Sequence, residues 1–176
     1  MKYGLMKVAA AIPSIRVADV EFNVQQIESL IVQAEGKGVE LIVFPELSIT
    51  GYTCQDLFSQ QLLLDKAEES LLVLLDFTRK LNIISVVGLP VRVGALLYNC
   101  AVVIQQGSIL GVIPKTHLPN YNEFYEKRWF ASAADLIPQD IYLAGSPIHI
   151  SNEPIVFRTC DGACFGIEIC EDVWAP

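Results

Sequence analysis

Short apolar runs alternate along this chain with stretches in which apolar residues recur every three or four positions, the pattern of an α/β protein. Residues 5–12 predict a first strand, ended by Pro13 and Ser14. Asp19 is placed to cap a helix in which Val20, Val24, Ile27, Leu30, Ile31 and Ala34 share one face, and Gly36 and Gly38 close it. Residues 39–44 read as a buried strand stopped by Pro45, and 65–81 as a second amphipathic helix. Strand-length runs follow at 83–89, 97–104 and 109–113, the last two joined by a polar turn that predicts a hairpin. From 114 to 151 the period fades into prolines, aromatics and mixed charge. A segment that long inside a compact domain points to function or to partners that tie it down. Runs at 155–158 and 164–169 predict the last strands, and a new helix is expected after Cys170.

A chain of 176 residues fits one domain, and nothing in it reads as a linker. Its 52% hydrophobic and 18% charged residues exclude disorder and low-complexity sequence. The hydrophobicity is nonetheless broken up: the longest aliphatic run, 71–75, falls far short of the ~20 residues that cross a bilayer. The apolar stretch at 8–12 is shorter than the core of a signal peptide, and Arg16 and Asp19 soon follow it, so a cytoplasmic protein is expected. Twelve basic against twenty acidic residues leave a net charge of −8, with no basic cluster larger than Lys127-Arg128. Such a surface offers phosphate backbones no footprint, and neither nucleic acid nor membrane is an expected partner. Five cysteines without a CxxC pair read as reduced thiols, and His117 and His149 are not spaced to complete a metal site with them.

Three of the apolar strands end on a reactive side chain: Glu46 after Leu-Ile-Val-Phe-Pro, Lys115 after Gly-Val-Ile-Pro, and Cys170 after Phe-Gly-Ile-Glu-Ile. Carboxyl ends of strands are where α/β proteins gather their ligands and catalytic groups. A thiol nucleophile, a carboxylate to take its proton and an ammonium to stabilise an oxyanion suit acyl transfer from an amide. Each residue also has an ordinary reading, as a packed thiol, a helix cap or turn, and a solvated amine. Cys54, Cys100, Cys160 and Cys164 are read as small core residues, and His117 is a second option as the base. No GxSxG elbow, GxxxxGK[ST] loop or GxGxxG turn competes with this set.

The same residues carry a resemblance to the nitrilase, or carbon–nitrogen hydrolase, superfamily, whose signature is a Glu–Lys–Cys triad on three separated motifs. Phe-Pro-Glu46-Leu-Ser-Ile-Thr-Gly-Tyr52, Lys115-Thr-His-Leu-Pro-Asn-Tyr121 and Ile-Cys170-Glu-Asp match them in order. Asp56-Leu-Phe58, the stretch 118–130 and Cys170-Glu-Asp-Val-Trp174 are closest in wording to the glutaminase domains of glutamine-dependent NAD(+) synthetases. The resemblance implies an α-β-β-α sandwich in which Glu46 is general base, Lys115 stabilises the oxyanion and Cys170 attacks glutamine. It assigns Tyr121 and Glu171 to glutamine recognition, sets Glu126 beside the site, and suggests Phe124 and Trp174 as pocket walls. It implies no metal or cofactor in this domain. ATP and magnesium belong to a C-terminal synthetase domain that receives the ammonia and amidates deamido-NAD.

Such a domain runs for roughly 100 residues beyond its cysteine, so the sandwich is expected to be truncated on its C-terminal side, as residues 1–176 of an incomplete glutaminase domain. The Ser-Gly-Gly motif of the synthetase domain is absent. Uncovered sheet edges and apolar surface would favour a homo-oligomer. Two other readings stay open: a stand-alone amidase or nitrilase with the same triad, and a catalytically silent module that keeps the fold. For the Cys170 thiol, Lys115 and a helix N-terminus are expected to lower the pKa and Glu46, Glu171 and Asp172 to raise it, nearly cancelling.

Overall fold

A computed structural model describes residues 4–175. Five strands, β1 (Val8–Ala10), β2 (Leu41–Val43), β3 (Ile84–Val93), β4 (Leu96–Gln105) and β5 (Ser108–Pro114), form one sheet in that order. The first three run parallel, linked through helices α1 (Val20–Gly36) and α2 (Gln61–Thr78), and the rest of the sheet is antiparallel. Side chains alternate across a strand, and here that alternation separates two faces. Ile42, Val87, Leu89, Val102 and Ile104 share a buried cluster with Ile27 and Ile31 of α1 and with Leu71 and Leu74 of α2. Leu41, Ile84, Val86, Ala101 and Val103 form the other face, where Phe157 and Ile169 meet them. The fold is thus mixed α/β, with one helical layer on one main sheet.

Asp19 caps α1 by accepting a hydrogen bond from Phe22 N at 3.2 Å, and Gly38, at φ +69°, turns the chain beyond its end. The predicted hairpin is β4 with β5. Several expectations change. The first strand shrinks to β1, an edge strand with one partner whose side chains are largely exposed. Helix α2 begins four residues earlier than expected and ends at Thr78, whose hydroxyl bonds back to the Leu74 and Leu75 carbonyls. Strand β3 runs on through Pro90. This is possible because β2 pairs only as far as Val86, so the missing N–H of Pro90 faces no strand.

The 114–151 segment is more regular than its sequence suggests, with 3₁₀ turns at Glu126–Arg128 and Ala133–Asp135 and a hairpin of β6 (Gln139–Leu143) and β7 (Ser146–Ile150). The last predicted strands are reduced to the two-residue pair β8 (Phe157–Arg158) and β9 (Cys164–Phe165). Cys54 and Cys100 are buried as expected. Cys160 and Cys164 are not core residues but exposed, because β8 and β9 form a two-residue ladder to which no further strand is paired among the described residues. No helix among the described residues is long and apolar enough to cross a membrane.

Candidate active site

Glu46 leaves the end of β2 on a tight loop stitched to β3. Ile49 N donates to Gly88 O at 3.0 Å, and Gly88 N donates to Ser48 Oγ at 3.1 Å. A Cβ at position 88 would lie 2.3 Å from Leu47 N, so only glycine lets the loop cross this close. Lys115 follows directly on β5. Its N–H donates to Asn99 O at 2.8 Å and its carbonyl accepts from Ala133 N at 3.0 Å, which fixes the backbone from both sides. Its side chain is wholly buried. Nζ donates to Glu46 Oε1 at 2.7 Å and to Glu126 Oε1 at 2.8 Å, joining the β2 loop to the segment that follows β5.

Glu126 opens a 3₁₀ turn that is clamped from outside, because Arg128 makes two bonds to the Asp56 carboxylate at 2.6 and 2.8 Å and Trp129 Nε1 a third at 2.9 Å. These donors hold the Asp56 carboxyl well below its usual range. Tyr52 Oη donates to Glu126 Oε1 at 2.7 Å, and burial followed by that carboxylate pushes the phenol far up, so it stays a donor.

Cys170 begins a 3₁₀ turn spanning Cys170–Trp174, in a left-handed backbone conformation at φ +50° that residues other than glycine seldom adopt. Asp172, two residues on, accepts hydrogen bonds from Thr116 N at 3.1 Å, His117 N at 2.7 Å and Ile169 N at 3.4 Å. One carboxylate therefore staples the cysteine turn to the segment that follows Lys115. A cavity of about 240 Å³ reaches Cys170 from the sheet side and is lined also by Glu46, Gly88, Asn99 and Glu168.

One buried ammonium between two carboxylates leaves the cluster with an excess of negative charge when all are ionised. Burial is the main cause that raises Glu126, opposed by its bonds from Lys115 and Tyr52. Burial works against the charge of Lys115, but hydrogen bonds to Glu126 and Glu46 outweigh it and the net shift is upward. The Cys170 thiol is pushed above its ordinary value near 9.0, first by desolvation and then by Glu46, with Lys115 pulling the other way. The expected near-cancellation thus gives way to a net rise, chiefly because desolvation of the thiol was not counted, with Glu126 rather than Glu171 or Asp172 adding to the effect of Glu46. Those causes favour the thiol over the thiolate at Cys170. A thiol, a carboxylate and an ammonium in electrostatic reach are the parts that nucleophilic acyl transfer needs.

The structure brings Glu46, Lys115, Glu126 and Cys170 together. Tyr121 Oη donates to Glu171 Oε2 at 2.9 Å, and Phe124 stands edge-on to both Tyr52 and Tyr121, with ring centroids 6.5 and 5.9 Å away. Tyr121, Glu171 and Trp174 line a second cavity of about 370 Å³ with His117 and Lys127, although Trp174 is 79% exposed and walls it only loosely. His117 is engaged through its backbone N–H, and the ionisable side chains acting on the thiol are Glu46, Lys115 and Glu126. Asn99, Tyr52 and Asp172 belong to the cluster and were not among the predicted site residues. A lone amide inside the apolar run 96–104 was the signal for Asn99. No group of His, Cys, Asp or Glu among the described residues is arranged to hold a metal ion.

The carbon–nitrogen hydrolase family profile matches residues 7–176. The glutamine-dependent NAD(+) synthetase of Mycobacterium tuberculosis strain H37Rv is 36% identical over 177 residues, covering 99% of this chain and 26% of its own length. The crystal structure of a glutamine-dependent NAD(+) synthetase from Cytophaga hutchinsonii superposes with a TM-score of 0.85 at 30% identity, over 95% of this chain and 28% of that one. An amidase from Nesterenkonia sp. shares the fold, with a TM-score of 0.63 at 23% identity over 83% of this chain and 54% of its own. The chain therefore spans about a quarter of the length of the synthetases it matches.

Proposed function

Since the chain belongs to the carbon–nitrogen hydrolase family, we propose that its Glu46–Lys115–Cys170 cluster hydrolyses the side-chain amide of glutamine and releases ammonia. The observation that carries this reading is Lys115 Nζ, buried and bridged to Glu46 beside a thiol whose protonation both groups influence. Glu46 takes the proton of Cys170 as the sulfur attacks the amide carbon, which suits a resting thiol better than a preformed thiolate would. Lys115 offers its positive charge to the tetrahedral oxyanion. On collapse, the carbon–nitrogen bond breaks, Glu46 returns the proton to the departing nitrogen, and a glutamyl thioester and ammonia result. Glu46 then takes a proton from water, the hydroxide adds to the thioester carbon, and glutamate leaves as the thiol is restored.

Glu126 acts through Lys115: it holds the ammonium in place with a second hydrogen bond beside that to Glu46. Glutamine is the substrate best supported, because the wording of 44–58, 118–130 and 170–174 and the similarity to synthetases named as glutamine-dependent agree. Tyr121, Phe124, Glu171 and Trp174 are the side chains we assign to its recognition. In the whole protein the ammonia would be used to amidate deamido-NAD, with ATP and magnesium held by a synthetase domain of the kind those relatives carry.

Two-site behaviour is the test. Cys170→Ala in the full natural chain is expected to abolish glutamine hydrolysis and glutamine-dependent NAD formation while ammonium chloride still supports synthesis. Hydrolysis at the wild-type rate would remove Cys170 from the mechanism. Turnover of small amides in preference to glutamine would favour an amidase instead.

A further inference from the structure

Strand β4 carries one polar side chain in an otherwise apolar interior, Asn99, which is 1% exposed. It shares a face with Ala101 and Val103, the face on which Ile169 packs just before Cys170. Its Nδ2 donates to Glu46 Oε1 at 2.5 Å, and its backbone carbonyl accepts from Lys115 N at 2.8 Å. One residue therefore touches both Glu46 and Lys115, through different atoms. The atom facing a carboxylate must be the donor, so the amide orientation follows from the chemistry. Its other atom, Oδ1, is buried with no hydrogen-bond partner among the described residues. An apolar residue would avoid that unsatisfied oxygen, so packing alone does not account for an asparagine here.

We propose that Asn99 is a positioning residue for the reaction: with Lys115 it occupies Glu46 Oε1, which turns Oε2 of the same carboxylate toward the thiol and the incoming water. This rests on Glu46 being the base. Two donors on one oxygen fix the rotation of the carboxylate, and they leave the proton-accepting work to the oxygen that carries none. Lys115 alone would hold Oε1 at one point and allow the plane to swing about it. The charged and titratable groups around Glu46 are Lys115, Glu126, Tyr52 and Cys170, with Glu168 lining the same cavity, so removal of the Asn99 donor changes hydrogen bonding to Glu46 without changing the formal charge around it.

The test is steady-state glutamine hydrolysis by the full natural chain against pH, with thermal midpoints recorded for each variant. Asn99→Leu keeps the volume and removes the donor. It is expected to lower kcat by about tenfold or more, to leave KM for glutamine within roughly threefold, and to move the acid limb of kcat/KM to higher pH, because a carboxylate that loses a donor holds its proton more tightly. Asn99→Asp keeps the shape should the leucine variant fold poorly, and its added negative charge is expected to move the acid limb further in the same direction. A folded variant of either kind with wild-type kcat and an unmoved acid limb overturns the proposal. Glu46→Gln separates this from the premise: if it is inactive while the Asn99 variants behave normally, Asn99 alone is wrong, whereas if it still hydrolyses glutamine the base assignment fails and the Asn99 proposal falls with it.

Discussion

Lys115 shows how one side chain decides the character of a site. An ammonium in a fully buried position is costly unless its protons are matched by acceptors, and Glu46 and Glu126 supply them. Its folded pKa lies above 10.5, so the stability it contributes is fully present below that value and is lost as the pH rises through the folded one. Replacement by methionine would leave Glu126 buried without its cation. Breaking a buried pair from one side costs about 3–5 kcal/mol, and urea unfolding at pH 7 should show a loss of that order. The folded pKa of Glu126 already lies above 4.5, so its protonated form is the one folding favours. The penalty in Lys115→Met should therefore shrink as the pH falls from 7 toward 5 and Glu126 takes up a proton. An equal penalty at both pH values would mean that the uncompensated carboxylate is not its source.

At the scale of elements, the site depends on where strands stop. The loop bearing Glu46 lies on β3 at Gly88, where a methyl group would collide with backbone that cannot rotate away. Gly88→Ala is expected to destabilise the fold by about 1–3 kcal/mol and to reduce glutamine hydrolysis more than that loss explains, since a misplacement of ~1 Å at a reacting group can cost 10²-fold. Denaturation and kcat measured on one preparation decide between this and a purely structural effect. Two strand ends were legible in the sequence because their apolar runs stop abruptly, at Pro45 and Pro114, before Glu46 and Lys115; the third was not, since β9 stops at Phe165 and Cys170 follows four residues of irregular backbone. Nor was the β6–β7 hairpin. Only Leu143 and Ile150 of its paired residues are buried, and its turn places Ala144 rather than the usual Asn or Asp in left-handed conformation before Gly145. Asp172 was equally hidden as a structural residue. Its partners are backbone N–H groups of Thr116 and His117, and side-chain chemistry does not advertise such contacts.

For the molecule as a whole, charge and apolar surface oppose one another. The net charge of −8 at pH 7 keeps copies apart, while Val8, Val43 and Val156 lie 60%, 41% and 70% exposed. Near the isoelectric point of 4.7 that repulsion vanishes. Sedimentation velocity should show this chain associating as the pH is lowered from 7 to 5, and an unchanged species across that range would mean that these side chains do not attract a second copy. The bonds that join Glu46, Lys115 and Glu126 have a consequence in time as well. All three residues precede Cys170 by more than forty positions, so a chain emerging from the ribosome can close its charged cluster before the nucleophile has been made. On that order the thiol arrives at a charged cluster already closed, and only the Asp172 staple remains to be added behind it. Limited proteolysis of nascent chains arrested with residues 1–160 exposed would reveal that order as early protection of the 114–130 segment, and uniform cleavage there would place cluster formation after the arrival of Cys170.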